Sequence, residues 1–205
     1  MTASKRNTFH PLKISSLQAE TGFQHPYYLQ VNPVKVGSSA LEVMTDLRFM
    51  PAATCSENDN VLAARQNMIA RSVRLLLVAN LHGHIIGLIT SHDLAGDRMA
   101  AITQSEGRAQ DLVSVGEVMT PAEGIEVLEF DDVLHAYVGD IIETLKCSGR
   151  QHALVIDRSS MDDSQTIRAI FSASQIARQL GVSTSSFDLA GTFSELDAEL
   201  KKASV

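Results

Sequence analysis

Apolar residues along this chain fall into two patterns, helical spacing and short continuous runs, and the two alternate in order. Val133, Leu134, Tyr137, Val138, Ile141, Ile142 and Leu145 recur at helical intervals and predict one amphipathic helix. Asp131 or Asp132 is placed to cap its start, and Gly149 stands where a C-terminal glycine belongs. Val61, Leu62, Met68 and Ile69 predict a counterpart, with Ser56 or Asp59 as candidate caps. The runs "LLLVA" (75–79) and "ALVI" (153–156) predict buried strands. Each leads through a turn into a second apolar strand, "IIGLI" (85–89) and "IRAIF" (167–171). His82, Gly83 and His84 fill the first turn, where a glycine suits a tight hairpin.

These elements form a repeat. "LEVMTDL" (41–47) recurs as "GEVMTPA" (116–122), 75 residues later at the shared Val-Met-Thr marker, and the order strand, helix, strand, strand, helix follows both copies. The offset grows to 82 residues at the end, chiefly because "DRSSMDDSQT" replaces "NLHGH" in the hairpin turn. Insertions confined to loops are what a structural repeat tolerates.

The repeat divides the chain into residues 1–38, a first unit over 39–105, a second over 106–181, and a tail over 182–205. The first segment holds three of the five prolines and reads as an extended arm. In the tail, "VSTSSFDLAG" reads as a linker. "TFSELDAELKK" reads as a short helix with a Thr192–Glu195 capping box and Phe193, Leu196 and Leu200 on one face, packed on the body or on a partner subunit.

Composition narrows the function. Hydrophobic residues make up 44% of 205, enough for one or two compact domains, and no apolar run is long enough to span a bilayer. No apolar segment follows the basic Lys5-Arg6 pair to suggest a secretory signal, so a cytoplasmic protein without membrane association is expected. A net charge of −7 argues against a nucleic-acid partner while permitting a local basic pocket. Cys55 and Cys147 form no C-x-x-C motif and read as ordinary reduced thiols.

The stretch "GLITSHDL" (87–94) carries the candidate chemistry. An apolar strand ends at Thr90, and Asp93 follows three residues later where a helix is predicted to begin. Thr-x-x-Asp is a capping pattern, and it also places a hydroxyl and a carboxylate at a positively polarised helix end. With the repeated β-α-β-β-α order and the Val-Met-Thr marker, "GLITSHD" resembles the strand ending Gly-h-h-Thr/Ser-x-x-Asp (h apolar) of the cystathionine β-synthase (CBS) domain family, in tandem over roughly residues 39–181.

The resemblance implies an α/β (α+β) fold in which two β-α-β-β-α repeats pack pseudo-symmetrically with two clefts between them. It implies an adenine nucleotide (AMP, ADP or ATP) or S-adenosylmethionine as regulatory ligand, a homodimer, and an unidentified regulated protein as partner, with no catalytic cofactor. On this reading Thr90 and Ser91 meet phosphate, Asp93 accepts from the ribose hydroxyls, and Gly87 leaves room. Main chain near Ala53 and Thr54 would read the adenine edge. Arg74 in one unit and Arg150 with His152 in the other would supply cations.

The second unit has Ala169, Ser172 and Gln175 where the first has Gly87, Thr90 and Asp93. Ser-x-x-Gln still suits a capping box, but glutamine is no charged acceptor for a diol, so one competent cleft and one degenerate cleft are expected. Two histidines in the hairpin lack a third ligand for a metal, and His10 and His25 have no evident partners. No nucleophile–base motif, P-loop or dinucleotide fingerprint occurs, so no enzyme is expected. The alternative is a ligand-free module that dimerises or scaffolds, with residues 1–38 and 192–202 as partner surface.

Overall fold

The computed structural model describes residues 34–182, 194 and 196–201. Most of the predicted arm with His10 and His25, most of the predicted linker, Phe193 and the Thr192–Glu195 box lie outside the described residues.

In the first half, a 3-10 turn at Ala40–Val43 leads to β1 (Thr45–Asp46), then β2 (Thr54–Ser56), α1 (Val61–Arg71), β3 (Leu75–Ala79), β4 (Ile85–Thr90) and α2 (Asp97–Ser105). The short α3 (Val115–Val118) and β5 (Thr120–Pro121) open the second half. It continues with β6 (Val127–Glu129), a single turn α4 (Phe130–Val133), α5 (Val138–Ser148), β7 (His152–Arg158), β8 (Gln165–Ser172) and α6 (Ala173–Gln179). The fold is α+β, with two pseudo-symmetric repeats built on two four-stranded sheets, β2-β3-β4-β5 and β1-β8-β7-β6. In both sheets the crossover helix joins parallel neighbours, β2 with β3 and β6 with β7, and a hairpin pairs the next strand antiparallel.

The leading strands are exchanged. β1 pairs with β8 of the second repeat, and β5 pairs with β4 of the first. Boundaries drawn from the repeat, 39–105 and 106–181, are therefore crossed by the hydrogen bonding: each sheet is completed by the other unit's Val-Met-Thr segment.

The runs that read as buried strands are apolar on both faces because each face has a lining partner. On β3, Leu76 and Val78 pack with α1 and α2, while Leu75 and Leu77 join Leu88 and Leu154 between the sheets. A fully buried leucine of this kind contributes about 2 kcal/mol. A second helix-side core gathers Ile141, Ile142 and Leu145 of α5 with Phe171 and Ile176. Leu196 is fully buried in it, and Leu200 packs against it. The segment after residue 33 docks on α5 as well, with the Gly139 N–H donating to Val36 O at 2.9 Å.

Several local expectations are corrected. The helix predicted from Val133 is broken into α4 and α5: Tyr137 is exposed outside the helix, and Asp140 caps α5 by accepting from the Tyr137 N–H at 2.8 Å. Asp131 and Asp132 lie inside α4. The cap of α1 is Asn60, which accepts from the Ala63 N–H at 2.8 Å; Ser56 and Asp59 instead tie the preceding turn. Ile69 on α1 is 72% exposed, not core. α1 and α5 both end on a left-handed residue, Ser72 (φ 54°) and Gly149 (φ 64°), that closes the last turn. Gly83, at φ 80°, makes the β3–β4 hairpin turn.

Candidate functional site

The Thr90–Asp93 pair sits at the end of β4, where the strand turns into a three-residue 3-10 turn, Asp93–Ala95. Asp93 Oδ2 accepts from both the Thr90 N–H and the Thr90 Oγ1 hydroxyl, each at 2.7 Å, and the Asp93 N–H donates back to Thr90 Oγ1 at 3.3 Å. The pair therefore does cap, but it caps that short turn. α2 starts four residues later, with Gly96 at its N-cap. Two donated hydrogens fill the lone pairs of Oδ2, so Oδ1 is the oxygen left to meet a ligand.

Thr90 and Asp93 line a cavity of about 220 Å³ together with His92, Thr120, Arg150, Gln151 and His152. Leu75 and Leu88 form its apolar floor. The carboxylate and the threonine thus come from one repeat, and Arg150 from the other. Arg150 is steadied by Glu126 at 3.6 Å and by Gly124 O at 3.3 Å, and its side chain stays 41% exposed.

A second cavity, about 160 Å³, repeats the arrangement across the pseudo-two-fold. Here Ser172 and Gln175 of the second repeat face Arg74 and Ala53 of the first. Leu75 and its structural counterpart His152 line both cavities and form the partition between them. Burial, with the nearby charge of Arg74, holds the His152 imidazole down to about 4, so at neutral pH it is an uncharged hydrogen-bonding group rather than a cation.

The residues named from sequence are thereby divided. Thr90, Asp93, Arg150 and His152 come together in the first cleft; Arg74 and Ala53 belong to the second. Thr54 is exposed on β2, away from both linings, and its carbonyl accepts from Asn67 Nδ2. Ser91 also lies off the linings, its N–H donating to Arg74 O at 3.0 Å. The space left by Gly87 is taken up by the protein itself: a Cβ there would lie 2.6 Å from Thr120 O and 2.8 Å from Met119 Sδ of the exchanged segment.

The second-repeat pair departs from its expected capping box. Ser172 makes no side-chain cap bond; its hydroxyl lies 3.1 Å from that of Ser174. Gln175 Oε1 instead accepts from Thr45 Oγ1 at 3.1 Å, across the β1–β8 junction. Thr45 and Thr120, the threonines of the two Val-Met-Thr markers, thus each line one cleft, a role their repetition alone did not reveal. Arg178, three residues past Gln175 on α6, is a further lining residue of the second cleft.

The sequence model of the CBS domain family matches residues 40–98. Residues 40–98 are a CBS domain. The second half repeats its element order and strand pairing, so the fold holds the same unit twice. Among solved structures, the pair is similar in fold to an uncharacterized conserved protein from Pyrococcus horikoshii, at 18% identity and a TM-score of 0.50 over 71% of this chain and 93% of that one. A CBS-domain protein of unknown function from Thermoplasma acidophilum gives 16% identity and a TM-score of 0.49, with 77% of each chain covered. A CBS-domain pair solved with 5′-methylthioadenosine and S-adenosyl-L-methionine gives 19% and 0.49, over 70% of this chain and 96% of that one. No curated protein matches the chain. Among the described residues, no helix is long and apolar enough to cross a membrane, and no cluster of three potential metal ligands occurs.

Proposed function

We propose that this tandem CBS protein is a regulatory, non-enzymatic module that takes an adenine nucleotide or S-adenosylmethionine in its first cleft and signals to a partner protein. The observation that carries the proposal is the joining of Thr90 and Asp93 from one repeat with Arg150 from the other around one cavity. Asp93 Oδ1 offers the acceptor a ribose diol needs, Arg150 the fork a phosphate or carboxylate needs, and Leu75 with Leu88 an apolar seat for a base. A ligand bridging the repeats has differential affinity for their closed and open arrangements, which switching requires. A cytoplasmic homodimer belongs to the same proposal, and the exposed Ile69 on α1 is consistent with a helical dimer face.

Calorimetric titration with AMP, ADP, ATP and S-adenosylmethionine tests it. At least one is expected to bind, with the affinity of Asp93→Asn lowered tenfold or more and that of Arg150→Met lowered for the charged ligand. Absence of binding by all four overturns the sensor reading and leaves the ligand-free scaffold.

A further inference from the structure

α1 and α5 are equivalent helices of 11 residues, and each opens on a valine bonded to the segment that leads into a repeat. The Val61 N–H donates to Val113 O at 3.0 Å and the Val138 N–H to Ser38 O at 2.9 Å. Matching these bonds sets Leu62, Arg65 and Ile69 of α1 against Gly139, Ile142 and Lys146 of α5, and Leu112 against Gly37. Positions i, i+3 and i+7 share one stripe of a helix. On α5 that stripe is covered by the chain's own C-terminal helical residues. Leu200 Cδ2 lies 3.5 Å from where a Cβ on Gly139 would stand, Ile142 and Leu196 are fully buried in one core, and Lys146 Nζ holds Asp197 Oδ1 at 2.5 Å. The covering helix therefore runs antiparallel to α5.

The same stripe on α1 has no such cover among the described residues. Ile69 is 72% exposed and Leu112 66%, and Leu62 is half-buried. These three stand where the covered stripe has Lys146, Gly37 and Gly139, so the bare stripe is the more apolar of the two. At its centre is a cation, the exposed Arg65, on a helix that also carries Arg71 and has no acidic residue. Asp111 flanks the Leu62 end, at the position matching Val36 over Gly139.

We infer that the stripe of Leu62, Arg65 and Ile69, with Leu112 beside it, seats an amphipathic helix of a partner protein. That helix has aliphatic side chains four residues apart, acidic residues in its early turns and a basic end. The aliphatic pair covers Leu62, Ile69 and Leu112, the acids meet Arg65, and the basic end meets Asp111. The chain's own tail has this pattern: Leu196 and Leu200 are four apart, and Glu195, Asp197 and Glu199 precede Lys201 and Lys202. That tail is already seated on α5, so the occupant of α1 comes from another molecule. Two copies meeting through this stripe would oppose two α1 helices of like charge, which favours a partner with an acidic helix over a second copy. The inference rests on the reading of this protein as a module with a protein partner, and not on the ligand of the first cleft.

The test is fluorescence anisotropy on the full chain without added nucleotide. The probe is a labelled peptide of residues 192–203, its helix held by a hydrocarbon staple on the polar face. It is expected to bind with a Kd of about 100 μM or tighter, and tenfold or more weakly when its two leucines are replaced by aspartate. Affinity falls tenfold or more in Ile69→Lys, an exposed substitution that copies Lys146, and also falls in Leu112→Ser. It weakens at least about threefold at high salt, because Arg65 is screened. Lys146→Met, which loosens the resident tail, leaves it within twofold of wild type. The inference is overturned if the peptide does not bind at millimolar concentration. It is equally overturned if binding ignores Ile69→Lys and tightens in Lys146→Met, since the peptide is then displacing the tail from α5. Sedimentation is expected to give Ile69→Lys the same assembly state as the parent. A dimer that dissociates in this variant gives the stripe to a second copy and overturns the partner seat, while the adenosyl titrations stand or fall separately.

Discussion

Arg168 on β8 grips Asp46 on β1 with a two-pronged contact, Nε to Oδ1 at 3.0 Å and Nη2 to Oδ2 at 2.9 Å, although 122 residues separate them in sequence. The guanidinium is only 6% exposed and stacks over the Phe130 ring at 4.2 Å from its centroid, with Asp157 as a further partner at 3.4 Å. This contact fastens the exchanged first strand to the second repeat. It thereby holds the polypeptide leading to Ala52 and Ala53 at the second cleft.

Removing one member of a buried ion pair strands the other. Arg168→Met is expected to destabilise the protein by about 3 kcal/mol in urea denaturation, and Asp46→Asn by less, since the amide still accepts one bond. The Arg168 hydrogen bonds hold the Asp46 carboxyl down to about 2 from its usual 3.8. Its stabilisation is therefore complete above about pH 4 and lost as pH falls toward 2, and Asp46→Asn is expected to flatten stability over that window.

His152 governs a different window. Its folded value near 4 lies below the ordinary 6.5, so between these the unfolded chain binds a proton that the folded chain refuses. Stability is expected to fall as pH drops from about 6.5 toward 4. His152→Leu, which copies its counterpart Leu75, is expected to remove that slope when melting temperature is followed against pH.

Gly87→Ala tests the strand exchange from the other sheet. Its methyl would press on a backbone oxygen of β5 at 2.6 Å, which has no flexible end to move aside. A loss of about 2 kcal/mol is expected in denaturant titration, with the β4–β5 amides losing hydrogen-exchange protection. Unchanged protection there would count against the packing role assigned to this glycine.

The two left-handed caps predict opposite signs. Ser72→Gly relieves a side chain held at φ 54° and is expected to stabilise by about 0.5 kcal/mol, whereas Gly149→Ala imposes that strain and costs about 1 kcal/mol. Thermal melts of the two variants beside the parent decide it.

Cys55 is buried, and burial, with the charge of Asp59, pushes its thiol up to about 11, while Cys147 lies exposed on α5. Iodoacetamide at neutral pH is expected to alkylate Cys147 alone in the native protein and both thiols in urea. Native-state labelling of Cys55 would contradict its placement.

Periodicity and self-similarity were enough to determine the repeat, its order of elements, the doubly buried strands around Leu76 and Val155, and the Thr90–Asp93 pair, because each of these is a local pattern or a pattern compared with itself. The sequence also showed that Gln175 lacks the charge of Asp93. It did not show which cleft Arg74 and Ala53 enter, that Met119 and Thr120 occupy the space beside Gly87, or that Gln175 turns to Thr45 rather than capping α6. Those depend on the exchange of β1 and β5 between sheets, and pairing between strands distant in the chain leaves no local periodicity to read. The break between α4 and α5 escaped for a related reason: the apolar spacing runs on through it, and only the docking of residues 36–40 on that stretch, through bonds such as Ala40 N–H to Ala136 O at 2.9 Å, shows where the helix begins. Tertiary structure alone thus decided which of the candidate residues share a cleft, because each cleft is assembled from both repeats.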